Sequence, residues 1–362
     1  MSDALPSTGE APPSAPPAAA RRLDFEFHAT GGEYFRIWIV NLLLTIVTLG
    51  IYSAWAKVRR LRYFYGNTRL ADAAFEYHGR PIQILKGRLI AVGAYAIFYV
   101  VAQLQPLAAI GFLPLFAFGV PWIIMKSRRF QMRMTSYRGI RFGFDGDYRG
   151  ALGAFIGWPV LGMLTLGILW PRSIWEQSRY ILANARYGTG HARFTASRGV
   201  FYRFCFVTLG LGAVLYAGAF AGVGGLVGAS GLEGEEIPEE TAVAVGLAVG
   251  VVFLLVSLVL SAYYRKSWVN ASFGGLELGP HRVESELETW PLVGLYLSNF
   301  ALIVLTLGLY APWATVRQMQ YQLANLHVRA QGDLDQFAAA AGDATDAIGE
   351  EIGDFFDIDF GL

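Results

Sequence analysis

The chain has 362 residues, 54% apolar and 16% charged, too few charges for a soluble domain, which carries about 25%. Its formal net charge of +1 hides an asymmetry: residues 331–362 hold nine acids and no Lys or Arg, which leaves +10 on the remainder. One cysteine, Cys205, excludes an intramolecular disulfide and any multi-cysteine metal site.

Residues 1–22 form a Pro- and Ala-rich tail that reads as disordered. They have no apolar core after a basic start, so they do not read as a secretory signal. The alternation Leu23-Asp24-Phe25-Glu26-Phe27-His28 then predicts a half-buried strand before the turn at Gly31-Gly32. Seven apolar runs follow, near 37–56, 89–105, 106–125, 151–170, 204–230, 242–263 and 290–314. Each approaches or exceeds the ~20 residues that a spanning helix needs. Residues 331–362 close the chain as an acidic, mostly disordered tail.

One phrase ends three of the runs. It reads Thr48-Leu49-Gly50-Ile51-Tyr52, Thr165-Leu166-Gly167-Ile168-Leu169 and Thr306-Leu307-Gly308-Leu309-Tyr310. A polar helical segment follows each copy and stops at Asn67, Asn184 or Asn325. Asn suits a helix end because it tolerates a left-handed backbone. Strand-like segments come after the basic stretches, at Phe75–Gly79, Phe142–Gly146 and Leu276–Gly279. The expected fold is an all-α polytopic membrane protein. It has about seven apolar helices in two-and-a-half internal repeats, with short β-strand segments at the cytoplasmic face.

Tyr34-Phe35-Arg36, Asn41-Leu42-Leu43-Leu44-Thr45 and the stretch Thr48–Arg59 resemble the signature of the bacterial YjgN-like family, as do Tyr63–Thr68 and Phe75–Gly79. The resemblance covers roughly residues 23–330, the expected membrane domain. It implies a multi-pass protein of the bacterial inner membrane, in a family whose domain has no assigned function. It supplies no catalytic residues. The second copy departs most, with Trp170-Pro171 where the first has Ser53-Ala54.

Charge and hydropathy disagree about topology. The run 151–170 has Arg129, Arg133, Arg138, Arg141 and Arg149 before it and Arg172, Arg179 and Arg186 after it. Both ends therefore read as cytoplasmic. Hydropathy supports seven spans. Charge supports four spans plus three re-entrant hairpins at 37–56, 151–170 and 290–314. The seven-span arrangement is the expectation carried forward.

Site candidates are few. The basic residues Lys57, Arg59, Arg60, Arg62, Lys126, Arg128 and Arg129 abut membrane runs, interleaved with aromatics. They are the expected lipid contacts, at about 1 kcal/mol each near an anionic surface. Ordinary positive-inside bias is the plainer account of the same charges. Asn41 and Asn299 sit seven residues before Thr48 and Thr306. They are the expected intramembrane polar pathway, or else bonds between neighbouring helices. His28 and His78 would form a metal or proton site only if their strands paired. Gly222, Gly224, Gly225, Gly246 and Gly250 are expected to let two helices approach closely. No nucleophile motif, phosphate loop or catalytic carboxylate pair is present, and no acid or base lies deep in a run. The expected function is non-catalytic, without a cofactor or metal. The chain would organise lipid or a partner protein through a basic cytoplasmic face. A transporter of a small or amphipathic solute is the alternative. Expected partners are membrane lipids and a protein partner or a second copy, with no nucleic acid.

Overall fold

The computed structural model describes residues 21–331 apart from 106, 108, 109 and 230–238. The two tails and the acids Glu233, Glu235 and Glu236 lie outside the described residues.

The chain takes the same step five times: a strand leads into a helical hairpin, and a short strand leads out. The first step is β1 (Arg21–Phe27), α1 (Gly31–Val47), α2 (Ser53–Gly66) and β2 (Thr68–Leu70). The second is β3 (Ala73–Tyr77), α3 (Pro81–Leu104), α4 (Phe112–Arg133) and β4 (Thr135–Tyr137). The third is β5 (Ile140–Phe144), α5 (148–164), α6 (Trp170–Ala183) and β6 (Ala185–Tyr187). Helix α5 passes through one π-helical stretch, Gly153–Gly157. The fourth is β7 (Gly190–Phe194), α7 (Arg198–Ala229), α8 (Glu239–Phe273) and β8 (Leu276–Leu278). The fifth is β9 (His281–Ser285), α9 (Thr289–Leu305), α10 (Ala311–Ala324) and β10 (Leu326–Ala330).

The ten strands close into one antiparallel barrel. Consecutive strands pair, and β1 pairs with β10 through Leu23 opposite Val328. One backbone hydrogen bond recurs at each helix-to-strand junction. His28, His78, Asp145, Thr195 and Glu286 donate their N–H to the carbonyls of Asn67, Met134, Asn184, Gly275 and Asn325, at 2.7–2.9 Å. Odd strands run toward the helices and even strands run back. All five hairpins therefore leave from one end of the barrel, and the strand turns and both described chain ends gather at the other. Alternation turns Leu23, Phe25 and Phe27 toward the barrel interior and core, while Asp24 and Glu26 face out. Leu70, Tyr137, Tyr187, Val328 and Ala330 complete the barrel core.

The barrel overturns the expected arrangement of seven apolar helices in two-and-a-half repeats with minor strands. Both ends of every hairpin are fixed to one ring of strands, so no hairpin can begin on one side of a membrane and end on the other. The runs 37–56, 151–170 and 290–314 are accordingly each broken into two helices that return to the barrel. Helix α1 has 17 residues, about 25 Å at 1.5 Å per residue, which is short of a ~30 Å hydrocarbon core. Among the described residues three helices are long and apolar enough to cross a membrane: α3, α7 and α8.

The Thr-Leu-Gly phrase makes each break. Leu49, Leu166 and Leu307 have φ of 49°, 52° and 49°, and Gly50, Gly167 and Gly308 have φ of 92°, 90° and 92°. Two successive left-handed residues reverse the chain, and glycine takes the larger angle because it has no Cβ. Each glycine N–H then reaches five residues back, to Thr45, Gly162 or Ile303, at 2.7–2.8 Å. This closes the end of the first helix. The threonine joins the two helices. Thr48 Oγ1 donates to the Leu44 carbonyl at 2.7 Å and accepts from the Tyr52 N–H at 2.9 Å. Thr165 and Thr306 repeat the arrangement. The three leucines are left at the tips, 94%, 96% and 94% exposed.

A second expectation also fails. A Cβ placed on Gly222, Gly224, Gly225, Gly246 or Gly250 would meet open space, so these glycines do not mark the α7–α8 contact. Tyr216 makes that contact instead, bonding Ser257 at 2.9 Å and stacking on Phe253. Gly31 is different. A Cβ there would lie 2.0 Å from Trp313 Cδ1, so glycine is what lets α10 dock on the start of α1 beside the barrel seam.

Candidate functional site

Helices α1, α2 and α3 line an open-sided pocket of about 250 Å³. Asn41, Lys57 and Arg60 line it, together with Trp38, Ser53 and Arg88. The hairpin turn brings Asn41 and Lys57 face to face, although sixteen positions separate them. Arg88 comes from the next hairpin and donates from Nη1 to Ser53 Oγ. Sequence reasoning missed Arg88 and Ser53. Arg88 reads there as an ordinary charge flanking the run at 89–105, and nothing local ties it to α2.

The electrostatics of this pocket are one-sided. Lys57, Arg60 and Arg88 supply positive charge, and no Asp or Glu lines the cavity. Among the described residues neither Arg60 nor Arg88 meets a carboxylate within ion-pairing distance. The two guanidinium groups are close enough to repel each other. Asn41 is 8% exposed, and its Oδ1 has no hydrogen-bond partner among the described residues. A buried carbonyl oxygen without a donor costs about 1–3 kcal/mol.

The last hairpin offers a comparison. It repeats the first 258 residues on, so Asn299, Tyr310, Trp313 and Arg317 stand where Asn41, Tyr52, Trp55 and Arg59 do. Tyr310 stacks on Trp313 as Tyr52 does on Trp55. Asn299 is 7% exposed, but its Oδ1 accepts from Arg317 Nη1 at 2.8 Å, and Arg317 Nη2 donates to Ser298 Oγ at 3.2 Å. Arg59, the counterpart of Arg317, is exposed instead. Asn41 and Asn299 therefore line no common cavity among those described, and only Asn41 lacks a donor.

The remaining basic candidates divide. Arg62 donates to the Gly79 carbonyl at 3.3 Å and Arg129 to the Gly146 carbonyl at 3.1 Å, equivalent contacts that brace a helix against the following strand exit. Arg128 reaches Gln131 at 3.5 Å, and the Lys126 ammonium lies 5.9 Å from the Trp122 ring centroid.

The histidine pair does not assemble, since β2 lies between β1 and β3. His28 contacts Glu26 at 3.2 Å, and His78 contacts Ser136 at 2.7 Å. Among the described residues no group of three or more metal-ligating side chains occurs. His327 is the buried histidine of the barrel seam: Nε2 accepts from Arg22 at 2.6 Å and Nδ1 donates to Asp24 at 2.8 Å. Hydrogen bonding from Arg22 holds the Asp24 carboxyl below its ordinary pKa.

The barrel encloses a second cavity of about 270 Å³, lined by Phe25, Phe75, Tyr137, Phe142 and Tyr187 among others. Its tyrosine hydroxyls are occupied. Tyr137 donates to the Leu70 carbonyl at 2.6 Å, and Tyr187 to the Tyr137 carbonyl at 2.9 Å. Burial pushes the Tyr187 phenol up to about 12. The lumen is thus mostly apolar core, whereas the pocket at Asn41 is lined by polar and positively charged side chains.

A family model described as "Bacterial protein of unknown function (DUF898)" matches residues 22–355. Over shorter stretches the chain is similar to proteins named inner membrane protein YjgN. It is 37% identical over 146 residues to that of Escherichia coli O157:H7, covering 40% of this chain and 36% of the relative. It is 35% identical over 144 residues to that of Escherichia coli strain K12, and 33% over 144 to that of Salmonella typhimurium. The chain thus matches little more than a third of the length of these relatives. No solved structure matches.

Proposed function

From the premise that this chain belongs to the family of bacterial proteins of unknown function matched over 22–355, we propose that it is a multi-pass inner-membrane protein that organises anionic lipid and catalyses no reaction. The relatives' names support the location, as do three helices long and apolar enough to cross a membrane. In this reading α3–α4 and α7–α8 cross and return. The three short hairpins enter one leaflet and turn back, with the barrel and its basic helix ends on the cytoplasmic side.

One observation carries the lipid reading. Three hairpins too short to cross end in almost fully exposed leucines, and the first two carry cations along their helices: Arg36, Lys57, Arg59, Arg60 and Arg62 in the first, Arg149, Arg172 and Arg179 in the second. Apolar tips favour the hydrocarbon, and each cation near an anionic headgroup contributes about 1 kcal/mol. The repeated turn distributes three apolar tips around one barrel, and the first two hairpins add the cations. A protein partner or a second copy on the same basic face belongs to this reading as well.

The test is the lipid retained by the purified full-length protein. In nanodiscs of mixed phosphatidylglycerol and phosphatidylcholine, the anionic lipid is enriched around the protein. Replacing Lys57, Arg59 and Arg60 with Gln lowers that enrichment. Equal retention of both lipids by the wild type would overturn the reading.

A further inference from the structure

The pocket at Asn41 joins two deficits: arginines without an acid and a buried carbonyl oxygen without a donor. A phosphodiester anion alone would answer only the first, because its oxygens accept hydrogen bonds and have nothing to give Asn41 Oδ1. Water would answer only the second. A group carrying both a phosphoryl anion and a free hydroxyl answers both.

We propose that this pocket seats one phosphoglycerol-type group, with its phosphoryl oxygens on Arg60 and Arg88 and a glycerol hydroxyl donating to Asn41 Oδ1. Lys57 adds charge at the rim. The inference rests on the lipid reading above and narrows it from a diffuse collar of anionic lipid to one seated headgroup.

Size and surroundings agree with this ligand. At about 250 Å³ the cavity falls below the ~300–1,000 Å³ of sites that enclose a drug-sized molecule. It therefore has room for a headgroup, not a whole lipid, and acyl chains must lie outside it. The neighbouring surfaces accommodate them: Leu43 and Ile46 on α1 and Leu89 on α3 are exposed. Arg–phosphoryl contacts are charge-assisted and directional, which suits two arginines from separate helices closing on one group.

The last hairpin serves as an internal control. There Arg317 already satisfies Asn299, and the counterparts of Lys57 and Arg60 are Thr315 and Gln318, which carry no charge. The chain should hold one tight headgroup at the first hairpin and none at the last.

The test is native mass spectrometry of the delipidated full-length protein. It is titrated separately with phosphatidylglycerol, with phosphatidylmethanol and phosphatidylcholine of the same chains, and with free glycerol phosphate. The wild type is expected to bind one phosphatidylglycerol in preference to phosphatidylcholine. Arg88→Gln and Arg60→Gln each weaken that binding by about tenfold or more, as expected for losing one charge-assisted contact. Arg88→Lys retains part of it. Asn41→Leu weakens phosphatidylglycerol but not phosphatidylmethanol, an anionic phosphodiester with no headgroup hydroxyl, and Arg59→Gln leaves the single tight site in place. Thermal unfolding confirms that each variant is folded. Tight binding of free glycerol phosphate supports the same site and identifies a soluble source; its failure to bind identifies the lipid. Unchanged tight binding in both arginine variants, or an Asn41→Leu effect equal on both anionic lipids, overturns the inference. If no single tight lipid is found but anionic lipid is still enriched in nanodiscs, the inference falls and the broader reading stands. Loss of that enrichment as well overturns both.

Discussion

Arg317 Nη1 donates to Asn299 Oδ1 at 2.8 Å and closes the last hairpin around a buried amide. The first hairpin repeats the helices, the turn and the aromatic stack but leaves its asparagine open. Two opposite outcomes follow from this difference. Arg317→Ala leaves Asn299 buried without its donor and lowers stability by about 1–3 kcal/mol. Asn41→Leu removes an unsatisfied carbonyl and, in delipidated protein, is neutral or raises the unfolding temperature. Thermal unfolding of the two variants in one detergent checks both signs.

The second prediction concerns topology. Thr189 lies in the turn between β6 and β7, at the barrel end away from the helices. With Cys205 replaced, a single cysteine at position 189 is not labelled by a membrane-impermeant maleimide in intact cells and is labelled after permeabilisation. A cysteine at the β4–β5 turn, position 139, behaves identically, because one closed barrel holds both turns at the same end. Labelling of one but not the other in intact cells would contradict the barrel.

Gly31 and Trp313 test how that barrel closes. With Trp313 Cδ1 only 2.0 Å from where a Cβ would sit, Gly31→Ala forces α1 and α10 apart and costs about 1–3 kcal/mol, the range for overpacking a filled site. Trp313→Ala added to Gly31→Ala recovers part of that cost, because it removes the atoms struck. A double-mutant cycle on unfolding temperature reads the coupling.

The tip glycines act through backbone alone. Gly308 sits at φ 92° with open space where a Cβ would point. Gly308→Ala therefore destabilises by about 1–2 kcal/mol through the left-handed backbone and not through a clash. Gly294→Ala lies in helix α9, also in open space. It is neutral or stabilising, since Ala is the better helix former.

Alkaline pH engages the barrel interior. Burial raises the Tyr187 phenol from 10.0 to about 12 in the folded protein. The folded state therefore keeps its proton where the unfolded chain has lost it. This contribution is complete below pH 10 and is lost as pH rises from 10 toward 12. Tyr187→Phe lowers stability at neutral pH by removing the bond to the Tyr137 carbonyl and flattens the alkaline decline. Unfolding midpoints measured across that interval test both effects.

The membrane class was legible in the sequence because long uncharged runs have few other physical explanations. The three hairpin turns were marked by Thr-Leu-Gly, since only particular residues accept two successive left-handed angles. The strand at 23–28 showed in its alternation, and part of the pocket showed as Asn41 beside a basic stretch. Strands β2, β4 and β6 are three residues long, too short to display any period, so the ring they complete was not visible. Arg88 joins Asn41 through contact between two different hairpins, and no local pattern encodes that.

What the sequence determined by itself is therefore local: which segments avoid water, where each helix must stop, and which turn reverses it. The tertiary structure alone decided that these segments are hairpins on a closed barrel. That outcome depends on β1 meeting β10, with Leu23 opposite Val328, a pairing between the two ends of the described chain. It also decided which of two equivalent asparagines stays open. Arg59 and Arg317 occupy the same place in the repeated phrase, and only the surrounding packing turns one inward and leaves the other in solvent.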